Sequence, residues 1–126
     1  YADLYEQTLY NAVYGSLDLA GKNFYYDNPL DANTARYPWH NCPCCVGNIP
    51  RTLLMMPTWA YARSADSLYV NLFIGSRMQV GKVAGTPLEV IQETRYPWDG
   101  LLAITLNPEQ ERAFTVRVRL PDRATR

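Results

Sequence analysis

The sequence is poor in histidine, in net charge and in long apolar runs. Its 126 residues hold one histidine, and 12 Lys and Arg stand against 12 Asp and Glu, a formal net charge of zero. That balance argues against nucleic acid or an anionic membrane as the main partner, because both require a surplus of basic groups. No apolar run approaches the roughly 20 residues that a membrane-spanning helix needs. A basic-plus-apolar leader is absent at the start, and Tyr1 already falls inside a helical pattern, so a piece of a longer or processed protein is expected. No second Cys-x-x-Cys pair is present, so zinc-ribbon spacing is absent. Internal repeats and low-complexity tracts are also missing.

What is present divides into two periods. Apolar residues make up 48% of the chain, enough for a core. Tyr5, Leu9, Ala12 and Val13 recur at helical spacing, which predicts a helix over residues 2–14 with Gly15 as its stop. Residues 22–28 predict a short extended piece entered by a tight turn at Ala20-Gly21, and residues 31–38 predict a loop. A second helix is expected from Ile49 to about Met56, with Asn48 as N-cap, Pro50 in the first turn and Pro57 as an end or kink. Beyond Arg63 the period becomes two. Leu68, Val70, Leu72 and Ile74 form one alternating set, closed by a turn at Gly75-Ser76. Leu88, Val90 and Gln92 form the next, followed by Leu102, Ile104 and Leu106, and then by Phe114, Val116, Val118 and Leu120. Tyr96-Pro97-Trp98-Asp99-Gly100 is a turn signal. Strands at this spacing predict an antiparallel sheet, as part of a sandwich. The border between the helical and the β part is placed near residue 62, with 3 basic and 5 acidic residues before it and 9 basic and 7 acidic after it. That imbalance names no partner.

Three thiols lie in four positions, Cys42, Cys44 and Cys45. Adjacent cysteines pair only with backbone strain, and Cys42 and Cys44 are also poorly placed for an unstrained bridge, so a disulfide framework is not expected. A metal site, a reactive thiol and inert buried cysteines remain. The cluster precedes a predicted helix N-terminus, which favours the thiolate, and Arg51 would add positive charge in the first turn. Zinc needs about four ligands; this segment offers two or three sulfurs, with His40 as a possible nitrogen, so if the site is metallic further ligands are expected from outside this chain. Beside Trp39, His40 is read as a packed or hydrogen-bonded residue. Most of the ten tyrosines and three tryptophans are read as core, although sugars do stack on such rings. Asp27, Asp31 and Glu6 are read as solvated or capping carboxylates, since no spacing pairs any two of them.

The order LYEQTLYNAVYGSLDLAGKNFYYDNPL, then W-x-x-C-P-C-C-x-x-N-I-x-R, then SLYVNLFIGS and ETRYPWDG, closely resembles the β-L-arabinofuranosidase family of glycoside hydrolases (family 127). The resemblance runs from about Asp3 to about Leu120. It implies an α+β fragment: the C-terminal part of an (α/α)6 barrel in residues 1–61, followed by an antiparallel β-sandwich region in residues 62–126. It implies zinc as cofactor and a small carbohydrate as substrate. Cys44 matches the nucleophile, itself bound to zinc, and Cys45 a second zinc ligand. Cys42 matches a motif cysteine not expected on the metal, and Tyr26 a tyrosine near the substrate. The resemblance places the remaining ligands, a glutamate and a cysteine, and the acid/base glutamate upstream of this motif and outside this chain. The isolated chain is therefore expected to be inactive. The alternatives are a non-catalytic zinc- or carbohydrate-binding module with structural thiols and, behind it, a redox-sensing thiol protein. Free thiols favour a reducing, cytoplasmic compartment.

Overall fold

The computed structural model of the chain describes residues 1–125. The chain divides into two compact units, Tyr1–Met55 and Met56–Arg126. No helix among the described residues is long and apolar enough to cross a membrane.

The first unit opens with α1 (Ala2–Thr8), which runs on as a π-helical turn over Leu9–Val13 and a 3-10 turn over Tyr14–Ser16. Gly15 therefore does not stop the helix. It lies within the 3-10 turn, and Leu17 takes the extended conformation instead. Leu9 is buried as its spacing predicts, and so is Glu6, three residues earlier on the same face. The expectation of a solvated carboxylate fails at Glu6 for that reason. A tight turn follows. The amides of Lys22 and Gly21 donate to the Asp18 carboxylate and carbonyl at 2.9 and 3.0 Å. Gly21 sits at φ +66, where a residue without Cβ is favoured. These bonds, the Lys22 amide first and the Asn23 side chain next, hold the Asp18 carboxyl below its usual range. Phe24 then bridges both Leu17 and Tyr37 in antiparallel fashion.

The next helix, α2, spans Asn48–Ala60. Ile49, Thr52, Leu53, Met56 and Trp59 are half-buried and Ala60 is buried, which is the i, i+3/i+4, i+7 face read from the sequence. Pro50 occupies the first turn, where no N–H is required. Pro57 does not end the helix. It lies on the exposed side, so the hydrogen bond it cannot donate is one that water can replace.

Among the described residues the second unit holds six strands: β1 (Tyr61–Arg63), β2 (Ser67–Val70), β3 (Ser76–Val83), β4 (Thr86–Thr94), β5 (Leu102–Pro108) and β6 (Thr115–Val118). They make two three-stranded sheets, β1-β2-β6 and β3-β4-β5. The expected antiparallel arrangement holds for β3-β4-β5 and for β1-β2, but β2 and β6 run parallel, with Ser67 opposite Thr115. Alternation tells which face is buried, not which way the neighbour runs. The alternating set from Leu68 ends as strand at Val70, although Leu72 and Phe73 beyond it are still buried. Ser76, read as a turn residue, is the first residue of β3.

The core of this unit is built from Leu68, Val70, Leu72, Val83, Leu88 and Val90. Gln92 joins them as a buried polar side chain. Its amide donates to the Tyr61 hydroxyl at 2.6 Å and to the Leu72 carbonyl at 3.2 Å. A register shift between Gln79 and Lys82 swings Val83 into the core. Gly81 makes that shift possible: its φ is +84, and a Cβ there would meet the Arg63 guanidinium at 3.0 Å. Ala84 and Gly85, at φ +49 and +81, turn the chain from β3 into β4. Tyr96–Trp98 form the expected turn.

Candidate active site

The three thiols lie where the loop of the first unit enters α2. Residues 44–47 form a turn, in which the Asn48 and Ile49 amides donate to the carbonyls of Cys45 and Val46, each at 3.1 Å. Cys44 and Cys45 are thereby held on the helix entrance, and all three cysteines are free and exposed. The Asn48 side chain does not cap the helix as expected; its Oδ1 accepts a hydrogen bond from Arg51 Nη1.

Cys44 is the centre of the cluster. Its Sγ lies 3.3 Å from the Tyr26 hydroxyl, 3.5 Å from Cys45 Sγ and 3.6 Å from Cys42 Sγ. The Tyr26 hydroxyl also reaches Cys45 Sγ at 3.4 Å. One phenolic hydrogen serves one sulfur at a time or is shared between the two. These contacts push the Cys44 thiol below its usual value: the Tyr26 hydroxyl contributes most, followed by Cys45 and Cys42. The same bonds hold the Tyr26 phenol well above its usual range, Cys44 acting most strongly. Arg51, expected to add positive charge in the first turn, donates to Asn48 Oδ1.

Geometry gives a test of a metal on this pair. Two sulfurs on a tetrahedral zinc, each about 2.3 Å from it, stand about 3.8 Å apart. The 3.5 Å between Cys44 and Cys45 needs only a small rotamer adjustment to reach that separation. The donor chemistry therefore fits, and separation alone would suit Cys42 with Cys44 equally well. Among the described residues no group of three or more His, Cys, Asp or Glu side chains could hold a metal ion.

His40 is packed, as its neighbourhood in the sequence predicts. Its ring centroid lies 5.0 Å from Phe24, 5.5 Å from Tyr26 and 5.7 Å from Tyr37, and its Nε2 is 3.4 Å from the Phe24 carbonyl oxygen. It braces the ring of Tyr26 rather than approaching the sulfurs. Arg36 pins the same loop by donating to the Gly15 carbonyl and lying 4.7 Å over the Tyr25 ring. A cleft of about 500 Å³ opens beside Tyr26 and Cys42. No spacing in the sequence singles out Tyr37 or Asn41 on its wall. The only hint is the density of rings, six counting His40, between Phe24 and His40.

Comparison with known proteins covers both units. Residues 1–58 match the family described as Beta-L-arabinofuranosidase, GH127 catalytic domain, and residues 67–126 match Beta-L-arabinofuranosidase, GH127 middle domain. A non-reducing end β-L-arabinofuranosidase of Bifidobacterium longum subsp. longum is 26% identical over 122 residues, covering 85% of this chain and 18% of the relative. The crystal structure of a GH127 β-L-arabinofuranosidase from Geobacillus stearothermophilus T6 superimposes with a TM-score of 0.85 at 34% identity, over 96% of this chain and 21% of that one. A second solved structure, a GH127 β-arabinofuranosidase, gives a TM-score of 0.80 at 36% identity, over 95% of this chain and 19% of that one. The chain thus spans about a fifth of the length of the relatives it matches.

Proposed function

The chain belongs to the GH127 β-L-arabinofuranosidase family, and from that premise we propose that it forms part of a retaining glycoside hydrolase. The enzyme releases β-L-arabinofuranosyl or related sugars from non-reducing ends, with Cys44 as nucleophile. In this reading residues 1–61 close an (α/α)6 barrel and residues 62–126 begin a β-sandwich. The observation that supports Cys44 is the meeting of Tyr26, Cys42 and Cys45 on its sulfur, within the stretch that matches the catalytic domain.

Retaining glycosidases ordinarily use two carboxylates, one as nucleophile and one as acid/base. Here a thiolate takes the nucleophile's place. Cys44 Sγ attacks the anomeric carbon while the bond from that carbon to the leaving oxygen breaks. The leaving oxygen takes its proton from a carboxylic acid supplied from outside this chain. Water, losing a proton to that same carboxylate, then displaces the sulfur and restores the thiolate. Two displacements leave the configuration unchanged. Tyr26 serves both stages. Its hydroxyl stabilises the resting thiolate and, at nearly equal reach, passes to Cys45 as the Cys44 sulfur becomes bonded to carbon. Zinc would be held by Cys44 and Cys45 together with donors from outside the chain, and when bound would supply the positive charge that keeps both thiols deprotonated at neutral pH.

A mechanism-based arabinofuranosyl electrophile tests this reading in the full-length protein. Mass spectrometry is expected to find the label on Cys44, and Cys44→Ser to abolish it. A site with purely structural thiolates leaves Cys44 unmodified, and that result overturns the assignment.

A further inference from the structure

The cleft beside the thiol turn is lined by Tyr26, Asp27, Tyr37, His40, Asn41 and Cys42, among others, and its volume of about 500 Å³ lies in the range of small-molecule sites. Two kinds of surface meet in it. Tyr37 and His40 stand edge to face at 82°, and Tyr37 remains 47% exposed, so its ring is open to a ligand. Asp27 and Asn41 are exposed and make no hydrogen bond or ion pair among the described residues. An aromatic face beside a free carboxylate and a free carboxamide matches what a sugar presents, with C–H groups on one side and hydroxyls at the edge.

We infer that this cleft holds a sugar unit adjoining the one attacked at Cys44, with Tyr37 against its ring and Asp27 and Asn41 on its hydroxyls. The inference rests on the carbohydrate reading given above. The walls decide the position. The cleft reaches Cys42, whose Sγ is 3.6 Å from that of Cys44, yet neither Cys44 nor Cys45 lines it. A sugar seated there lies beside the attacking sulfur and not on it. Asp27 and Tyr37 are then specificity-determining: they select what the attacked sugar is joined to.

The single histidine makes the test direct, because His40 lines the cleft and its ring signals in an NMR spectrum of the chain carry no overlap from other histidines. The probe is a β-L-arabinofuranosyl disaccharide titrated into the 126-residue chain. The His40 signal is expected to shift saturably, and Tyr37→Ala and Asp27→Ala are each expected to weaken the apparent affinity about tenfold. Unchanged amide signals from α1 and α2, away from the cleft in the first unit, verify that the variants stay folded. No shift in the wild-type chain, or unchanged affinity in either variant, overturns the inference. Hydrolysis is not part of the readout. A negative result therefore leaves the Cys44 assignment standing, and an active Cys44→Ser enzyme leaves a positive binding result standing.

Discussion

The Tyr26 hydroxyl lies 3.3 Å from Cys44 Sγ, although 18 positions separate the two residues in the chain. A phenol in this position donates to sulfur, and a donor stabilises the charged form of the thiol it faces. The contact moves the two partners in opposite directions: the thiol is pushed down and the phenol is pushed up.

Removing that donor has a definite sign. In the metal-free chain, Tyr26→Phe raises the Cys44 pKa towards its ordinary value. The thiolate fraction at neutral pH falls, and the pH profile of Cys44 alkylation moves to higher pH. Iodoacetamide labelling, read at Cys44 by mass spectrometry, measures it. An unmoved profile would show that the hydroxyl does not govern the thiol.

Metal binding separates the three sulfurs. Cobalt titrated into the chain in place of zinc is expected to give a sulfur-to-metal absorption band. Losing one of two thiolates lowers its intensity by about half in Cys44→Ser and in Cys45→Ser. Cys42→Ser leaves the band unchanged. A comparable drop in Cys42→Ser would place Cys42 on the metal.

The buried Gln92 amide gives a prediction on stability. Tyr61→Phe removes the hydroxyl 2.6 Å from Gln92 Nε2 and leaves an N–H without a partner in the core. The expected cost is about 1–3 kcal/mol, read as a lowered urea midpoint of the second unit. Gln92→Leu removes the polar group together with its need for a partner, and is expected to cost less than Gln92→Ala, which also leaves a cavity.

Two positive-φ positions, Gly81 at the register shift within β3 and Ala84 in the β3–β4 turn, are expected to respond in opposite directions. Ala84 carries a Cβ at φ +49, so Ala84→Gly relieves backbone strain and raises stability by up to about 1 kcal/mol, the gain being partly offset by the freer unfolded chain. Gly81→Ala places a methyl group at φ +84 against the Arg63 guanidinium and lowers stability by about 1–2 kcal/mol. Thermal unfolding of the two variants, side by side, checks both signs.

Much of the fold was legible because burial has a period. Ile49, Leu53 and Met56 mark the inner face of α2, and Leu88, Val90 and Gln92 mark the buried side of β4. The rest depends on contacts that no period records. The π-helical turn at Leu9–Val13, the start of β3 at Ser76 and the parallel course of β6 all follow from what the neighbouring segment allows. The site divides in the same way. Cys44 and Cys45 are neighbours in sequence, so their chemistry can be read there. Tyr26 was singled out through a family resemblance alone, because no spacing brings residue 26 to residue 44. Tyr37 and Asn41 belong to a cleft that only exists once Phe24 bridges Tyr37.

The parallel pairing of β2 with β6 also sets an order of events. β3, β4 and β5 follow one another as antiparallel neighbours, so their pairing is local and closes early. β2 waits for a partner that begins only at Thr115, and the loop between them must close before that pairing forms. During synthesis, one edge of β2 therefore stays unpaired until nearly the whole unit has emerged from the ribosome. In that interval Leu68 and Val70 belong to an incomplete sheet, and a chain stopped before Thr115 keeps it incomplete.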